Sequence, residues 1–339
     1  MKVLSVESFG AFLSKKGDRI VVRKNGQRVA EVSAGNVDLI RVSSRGVSAS
    51  MDVVKLALKY GIPIVVTSKG GVPLGVFMPF KARGLIRVKR AQYTAVYKPL
   101  GVEVAKELVR AKLEEQARLL HFLARTWRRA GDLKPLILVA SASLSEASST
   151  VSNVAGDSCE KVRGVLMSLE ARGAQIYWSA LARLVPEGLG FQGRVKRGAG
   201  DVVNSMLNYG YAILATEVWL AILRAGLDPW AGFLHADSQR RPGLVYDLME
   251  PFRAPVVDKA VLGLVAQKGA LLKDFFDGER LTAEGKGLVA KAVVERLNSQ
   301  VRVTGRKLTI SALILLTARR LAGRLVGGLP RFRVPRVGW

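Results

Sequence analysis

Only two histidines occur among the 339 residues, so imidazole chemistry, whether as general base or metal ligand, can be sited in just two places. His121 lies in the apolar helical stretch Leu119-Leu120-His121-Phe122-Leu123 and is expected to serve packing. His235 follows Pro229-Trp230-Ala231-Gly232-Phe233-Leu234 and precedes Arg240-Arg241-Pro242-Gly243, where a helix has ended and a turn begins, leaving its ring free to face a cleft. Next, Leu244-Val245-Tyr246-Asp247-Leu248-Met249-Glu250 reads as a short helix interrupted at Pro251. Asp247 and Glu250 share one of its faces, while Leu244, Leu248 and Pro251 serve the other. Two adjacent carboxylates repel each other unless positive charge lies between them, and spacing leaves open whether that charge is a divalent cation or Arg253. Glu170 sits mid-helix in Ser158 to Ala174, where periodicity favours a surface glutamate paired with Arg163 or Arg172.

The elements that must position these residues fall into two textures. Residues 1 to about 80 are short and β-rich. Arg19 to Arg23 and Arg28 to Val32 flank Lys24-Asn25-Gly26-Gln27, whose Asn-Gly predicts a type I′ hairpin. Ile62 to Thr67 reads as a buried strand, and Met51 to Tyr60 as a helix ending near Gly61. Beyond about Tyr93, amphipathic helical patterns run through Val102–Arg129, Ser158–Leu184, Val202–Ala225, Val256–Gln267, Ala283–Gln300 and Ile310–Leu325. Serine-rich Ala142 to Asp157 is open between a loop and a loosely held helix. The predicted class is α+β. A β-rich domain, 1–85, is followed by a linker, 86–98, and an all-α domain, 99–325; a basic tail, 326–339, has no fixed structure of its own.

Lys plus Arg number 53 against 27 Asp plus Glu, a formal net charge of +26, which calls for a polyanionic partner: nucleic acid first, an anionic membrane surface second. A hydrophobic fraction of 49% excludes a disordered basic chain. The apolar stretches Ala212–Leu223 and Leu308–Thr317 fall short of the roughly 20 residues that span a bilayer, so no membrane partner is expected. Without a signal-peptide pattern at Met1 to Glu7, and with Cys159 as its single cysteine, the chain reads as cytoplasmic.

Four blocks, in order, resemble the CRISPR-associated integrase of spacer acquisition, subunit one of the adaptation complex. They are Lys89-Arg90-Ala91-Gln92-Tyr93, Leu169 to Trp178, Asn204 to Leu214, and Gly232-Phe233-Leu234-His235 with Arg241 to Arg253. The β-rich start with Gly61-Ile62-Pro63 fits as well, so the resemblance covers nearly the whole chain. Two positions depart from the family pattern: Ala171 stands where glycine is usual, and Gly243 where a serine-like helix cap is common. The resemblance implies that Glu170, His235 and Glu250 are metal ligands, with Asp247 as a further acidic residue of the site. It also implies a homodimer, with the β-rich domain 1–85 serving dimerisation, that joins a small second adaptation subunit.

A donor set of carboxylates with one imidazole suits Mg²⁺ or Mn²⁺. Such a cation serves DNA cleavage and strand transfer alike, which differ only in the nucleophile. Lys161, Arg163 and Arg172 on the Glu170 helix, Arg194, Lys196 and Arg197 in the following loop, and Arg240 and Arg241 beside His235 are expected to hold the DNA backbone. A junction-resolving repair nuclease and a non-catalytic DNA-binding scaffold are the alternatives.

Overall fold

Two consecutive residues with positive φ, Asn25 at 50° and Gly26 at 77°, make the type I′ turn that closes the first hairpin in the computed structural model. It describes residues 2–68, 73–78, 85–196, 198–236, 241–303 and 305–337. The chain divides into two units at Arg83/Gly84.

The N-terminal unit contains β1 (Val3–Val6), β2 (Ala11–Lys16), β3 (Arg19–Lys24), β4 (Gln27–Ser33), β5 (Leu39–Val42), β6 (Ser48–Ala49), α1 (Met51–Lys59), β7 (Ile64–Thr67) and β8 (Pro73–Phe77). They form two four-stranded sheets, ordered β1-β5-β7-β8 and β4-β3-β2-β6. In the first, β1, β5 and β7 are parallel and β8 is antiparallel to β7. Ile20, Ile40, Val53 and Ala57 are wholly buried in the core that unites them. Ser50 caps α1 by accepting from the Val53 amide, and Gly61 at φ +73° turns the chain into β7.

The second unit is built on α2 (Leu85–Ala95), α3 (Pro99–Thr126), α4 (Lys134–Val151), α5 (Cys159–Leu184), α6 (Val202–Arg224), α7 (Gly243–Phe252), α8 (Lys259–Lys268), α9 (Ala283–Asn298) and α10 (Ile310–Leu325). α3 is its axis, packing against α4, α5 and α7. α6 is long and apolar enough to cross a membrane, which the shorter apolar stretch read from sequence did not suggest. Most of it is buried against α7, α9 and α10 as a core helix.

Here the structure corrects the expectations for the linker and the tail, decides the open reading of the serine-rich stretch and adds a hairpin to the mainly helical domain. The predicted linker, 86–98, is largely helix α2, because Gln92 is fully buried and its side-chain amide bonds the Asp228 and Ala231 carbonyls and the Asp228 amide. The serine-rich stretch is ordered helix through α4 to Val151. Its hydroxyls return to carbonyls four residues back, while Ser141 and Ser148 donate across to Ala117 and Arg110 of α3. The all-α domain carries a β-hairpin, β9 (Gln300–Val303) and β10 (Arg306–Thr309). The basic tail is docked, with Phe332 and Val337 buried and the amides of Phe332, Val334 and Val337 donating to Glu103, Glu107 and Glu115 of α3. Carboxylates spaced by four and eight residues along one helix thus satisfy an extended backbone segment.

Candidate active site

A charged residue on the inner face of a helix needs a partner in the interior. Lys112 lies on such a face of α3, its side chain 9% exposed, and its ammonium is bonded to Glu170 Oε1 and lies 2.5 Å from Glu250 Oε2. Glu170 comes from α5 and Glu250 from α7, so one cation joins three helices. Gly173, one turn beyond Glu170, makes the approach possible. A Cβ there would stand 2.2 Å from Leu113 Cδ2, so a larger side chain would push α5 away from α3. Glu170 is therefore paired with Lys112 rather than with Arg163 or Arg172, the partners that helical spacing had suggested.

Asp247 and Glu250 share α7 but have separate duties. Asp247 is fully buried and accepts the amides of Phe233 (2.5 Å), Leu234 (2.9 Å) and His235 (2.9 Å) and the His235 ring at Nδ1 (2.6 Å). These bonds occupy the carboxylate, wrap the loop round it and fix the imidazole with Nδ1–H towards Asp247, leaving the Nε2 lone pair for another partner. Two glycines make the wrap possible. A Cβ on Gly232 would meet the His235 carbonyl oxygen at 2.6 Å, and one on Gly243 would lie 3.1 Å from three backbone atoms of the same loop. Arg163 of α5 donates to the Leu234 carbonyl at 3.0 Å and holds the loop from the other side.

α7 does not stop at Pro251. It runs on through a wider π-type turn, Arg253–Asp258, into α8. That path places Arg253 beside Glu250 (Nε to Oε1, 2.9 Å) and 4.6 Å from the centre of the Tyr211 ring. Of the two earlier answers for the Asp247 and Glu250 pair, Arg253 is the one found beside Glu250, while Asp247 is satisfied by the loop amides and His235 and Lys112 adds a second positive charge at Glu250. Burial alone would raise the Glu250 carboxyl, but Arg253 and Lys112 hold it down to about 2. Burial opposes charge on Lys112 too, and Glu250 and Glu170 outweigh it to raise the ammonium above its ordinary value. For His235, burial is outweighed by Asp247, with Glu250 and Glu170 adding, so its ring also titrates above its ordinary value.

Further in, Asp258 is buried and accepts hydroxyls from Tyr177 of α5 (2.7 Å) and Tyr211 of α6 (2.5 Å). Arg194 leans on the same tyrosine, 5.2 Å from its centre, and donates to Asn204 (3.0 Å) and Asn208 (2.6 Å). Arg163 and Arg194 therefore have internal partners, whereas Lys161, Arg172, Lys196 and Arg241 are exposed. Lys161 pairs with Asp157. Arg197 and Arg240 lie outside the described residues. His121 is exposed, not packed in the core, because its side of α3 faces outward while Leu119, Leu120 and Leu123 of the same turn are buried. Lys112, Asp258 and Tyr177 were missed from sequence. A lysine among the buried positions of α3, which also include Glu107, Glu115 and Gln116, was the one signal present, and it did not disclose its partners.

Among the described residues no three His, Cys, Asp or Glu side chains stand close enough as placed to hold a metal ion. The donor chemistry nonetheless fits one: Glu170 and Glu250 converge on a single positive charge, the Lys112 ammonium, beside an imidazole with one nitrogen uncommitted.

Residues 4–295 match the family model described as CRISPR associated protein Cas1. A CRISPR-associated endonuclease Cas1 of Archaeoglobus fulgidus is 33% identical over 334 residues, 96% of each chain. Among solved structures, a casposase bound to integration product is similar in fold, with TM-score 0.79 at 24% identity over 100% of this chain and 96% of that one. A chain of a Cas6-RT-Cas1–Cas2 complex gives TM-score 0.76 at 18% identity, covering 98% of this chain and 36% of that one. By the span of the family match and the near-complete relative, the chain belongs to the Cas1 family of CRISPR-associated proteins.

Proposed function

We propose that this chain is a divalent-cation-dependent DNA endonuclease and integrase of CRISPR adaptation, inserting short foreign DNA segments into a repeat array. In the joining step a DNA 3′-hydroxyl oxygen forms a bond to phosphorus of the target strand, and the bond from that phosphorus to its original 3′-oxygen breaks. The observation that carries this reading is the convergence of Glu170 and Glu250, from separate helices, on one cationic position beside an oriented His235.

Glu170, Glu250 and His235, through Nε2, would hold Mg²⁺ or Mn²⁺. Bound there, the ion would neutralise phosphate charge and stabilise the nucleophilic and leaving oxygens. Asp247 sets the imidazole's tautomer and angle, and Arg163 pins the loop that carries it. Lys112 and Arg253 keep Glu250 ionised despite its burial. Lys161, Arg172, Lys196 and Arg241 remain the candidates for phosphate contacts, with Arg197 and Arg240 beside them in sequence. Pairing through the β-rich unit, a small second adaptation subunit and a cytoplasmic setting complete the proposal. The complex of a Cas1–Cas2 type to which the chain is similar in fold supports the second subunit.

The test is purified full-length protein with Mn²⁺ on branched DNA. The parent should cut and produce a joined strand, while Glu170→Ala and His235→Ala should do neither yet still bind DNA. A parent that never cuts or joins, with variants that behave like it, leaves only a DNA-binding scaffold. Paired nicks without a joined strand identify a junction-resolving nuclease instead.

A further inference from the structure

A second concentration of positive charge lies between α3 and α4, apart from the residues assigned above. A groove of about 540 Å³ there is lined by Arg118, His121, Phe122 and Arg125 of α3 with Ser141 and Ser145 of α4. The four α3 residues recur at three- and four-residue steps and so share one helix face. Lys259, at the start of α8, holds its ammonium 4.4 Å from the centre of the Phe122 ring. Burial, and then Arg296 of α9, depress that ammonium to about 8. Glu115 offsets part of the charge by pairing with Arg118 at 2.8 Å, but it also accepts the Val337 amide of the docked tail.

Like charges gathered around an apolar ring repel one another, and a bound anion relieves that repulsion. The groove offers guanidinium groups and an imidazole for a phosphate, and an aromatic ring for a flat apolar group. A nucleotide joins both in one ligand, and base stacking on an aromatic ring tolerates any sequence. Arg118 to Arg125 stand about 9–20 Å beyond Lys112 along α3, at roughly 1.5 Å per residue. At about 100° per residue these side chains lie on the side of α3 turned away from Lys112, so the groove is a separate place from the Glu170 and Glu250 site.

We propose that this groove is a nucleotide subsite for single-stranded DNA, seating a phosphate among Arg118, His121 and Arg125 and a base against Phe122. This rests on DNA as the substrate and assigns a place for the strand that the catalytic residues do not. The experiment uses full-length Glu170→Ala protein with labelled histidines, whose two imidazole signals are assigned with His121→Ala. A short 5′-phosphorylated oligonucleotide should shift the His121 signal saturably, at a Kd at least about 10-fold below that of inorganic phosphate. Arg125→Gln, an exposed change, together with Lys259→Gln should weaken that Kd at least about 10-fold. The same pair should lower the slope of log Kd against log salt by about 0.7, one single-strand phosphate contact's worth, because Arg125 is the phosphate partner of the two.

An unmoved His121 signal while His235 responds overturns the proposal. So does an equal response to inorganic phosphate, which would reveal a bare anion pocket, or a Kd that Arg125→Gln leaves unchanged. Cutting and joining by the parent protein are read separately, so the integrase reading can stand while the subsite falls, and the reverse.

Discussion

α5 and the helical path through α7 face each other twice, and the two meetings use opposite chemistry. At the first, Glu170 and Glu250 meet across the Lys112 ammonium. Two turns on, Tyr177 and Asp258 meet directly, with Tyr211 as a second donor. The first meeting sets two like charges around a single ammonium. The second sets neutral hydroxyls on a buried carboxylate and satisfies it permanently. Arg253 touches both, through Glu250 and the Tyr211 ring. On the proposed reading, the difference separates a site that takes up an ion from a clamp that fixes the spacing of the helices bearing it.

The comparison can be broken most forcefully at the ion-facing end. Glu170→Ala and His235→Ala should each lower strand joining roughly 10³-fold or more, measured by product formation on branched DNA, with the melting temperature little changed. A large loss of stability would mean that Glu170 is structural, like Asp258. At the clamp the balance should reverse. Asp258→Ala leaves two tyrosine hydroxyls and neighbouring arginine charge without their acceptor and should cost about 3–5 kcal/mol in denaturant unfolding, against about 1–2 for Tyr177→Phe.

Lys112→Met sharpens the contrast. It leaves Glu170 and Glu250 facing each other without their cation, so thermal stability should fall and Mn²⁺ should restore it, whereas Mn²⁺ should not rescue Asp258→Ala. A Lys112→Met protein indifferent to Mn²⁺ would count against the ion position. Asp247→Asn, which keeps the shape but loses the charge that orients His235, should weaken Mn²⁺ binding about 10–100-fold by titration.

The smallest effect lies in the docked tail. Burial, opposed chiefly by Arg118 and the Val337 amide, lifts the Glu115 carboxyl to about 7 from an ordinary 4.5. The folded state therefore holds a proton that the unfolded chain releases. This contribution is full below about 4.5, declines as pH rises towards about 7 and is flat beyond. Melting temperature across that window should show the decline, and Glu115→Gln should flatten it.

By itself the sequence determined what depends on near neighbours. Asn25-Gly26 encodes its hairpin because both positions need positive φ, and three- and four-residue periodicity located most of the long helices. His235, Asp247 and Glu250 could be grouped from their nearness along the chain, and the resemblance that brought in Glu170 rested on ordered local blocks. Periodicity left open or missed what depends on the partners that polar groups find. The serines of α4 bond carbonyls of their own helix and of α3, and the tail's amides find glutamates more than two hundred residues away. His121 was misplaced because an apolar neighbourhood in sequence does not say which side of α3 faces outward.

Tertiary structure alone decided which charges meet. The Lys112–Glu170 pair spans 58 positions, and the bonds of Asp258 to Tyr211 and Tyr177 span 47 and 81. A helix's sequence records which face is buried but not which helix will cover it. The partner of an inward charge is therefore set by packing, here by a glycine at 173 that lets α5 close on α3.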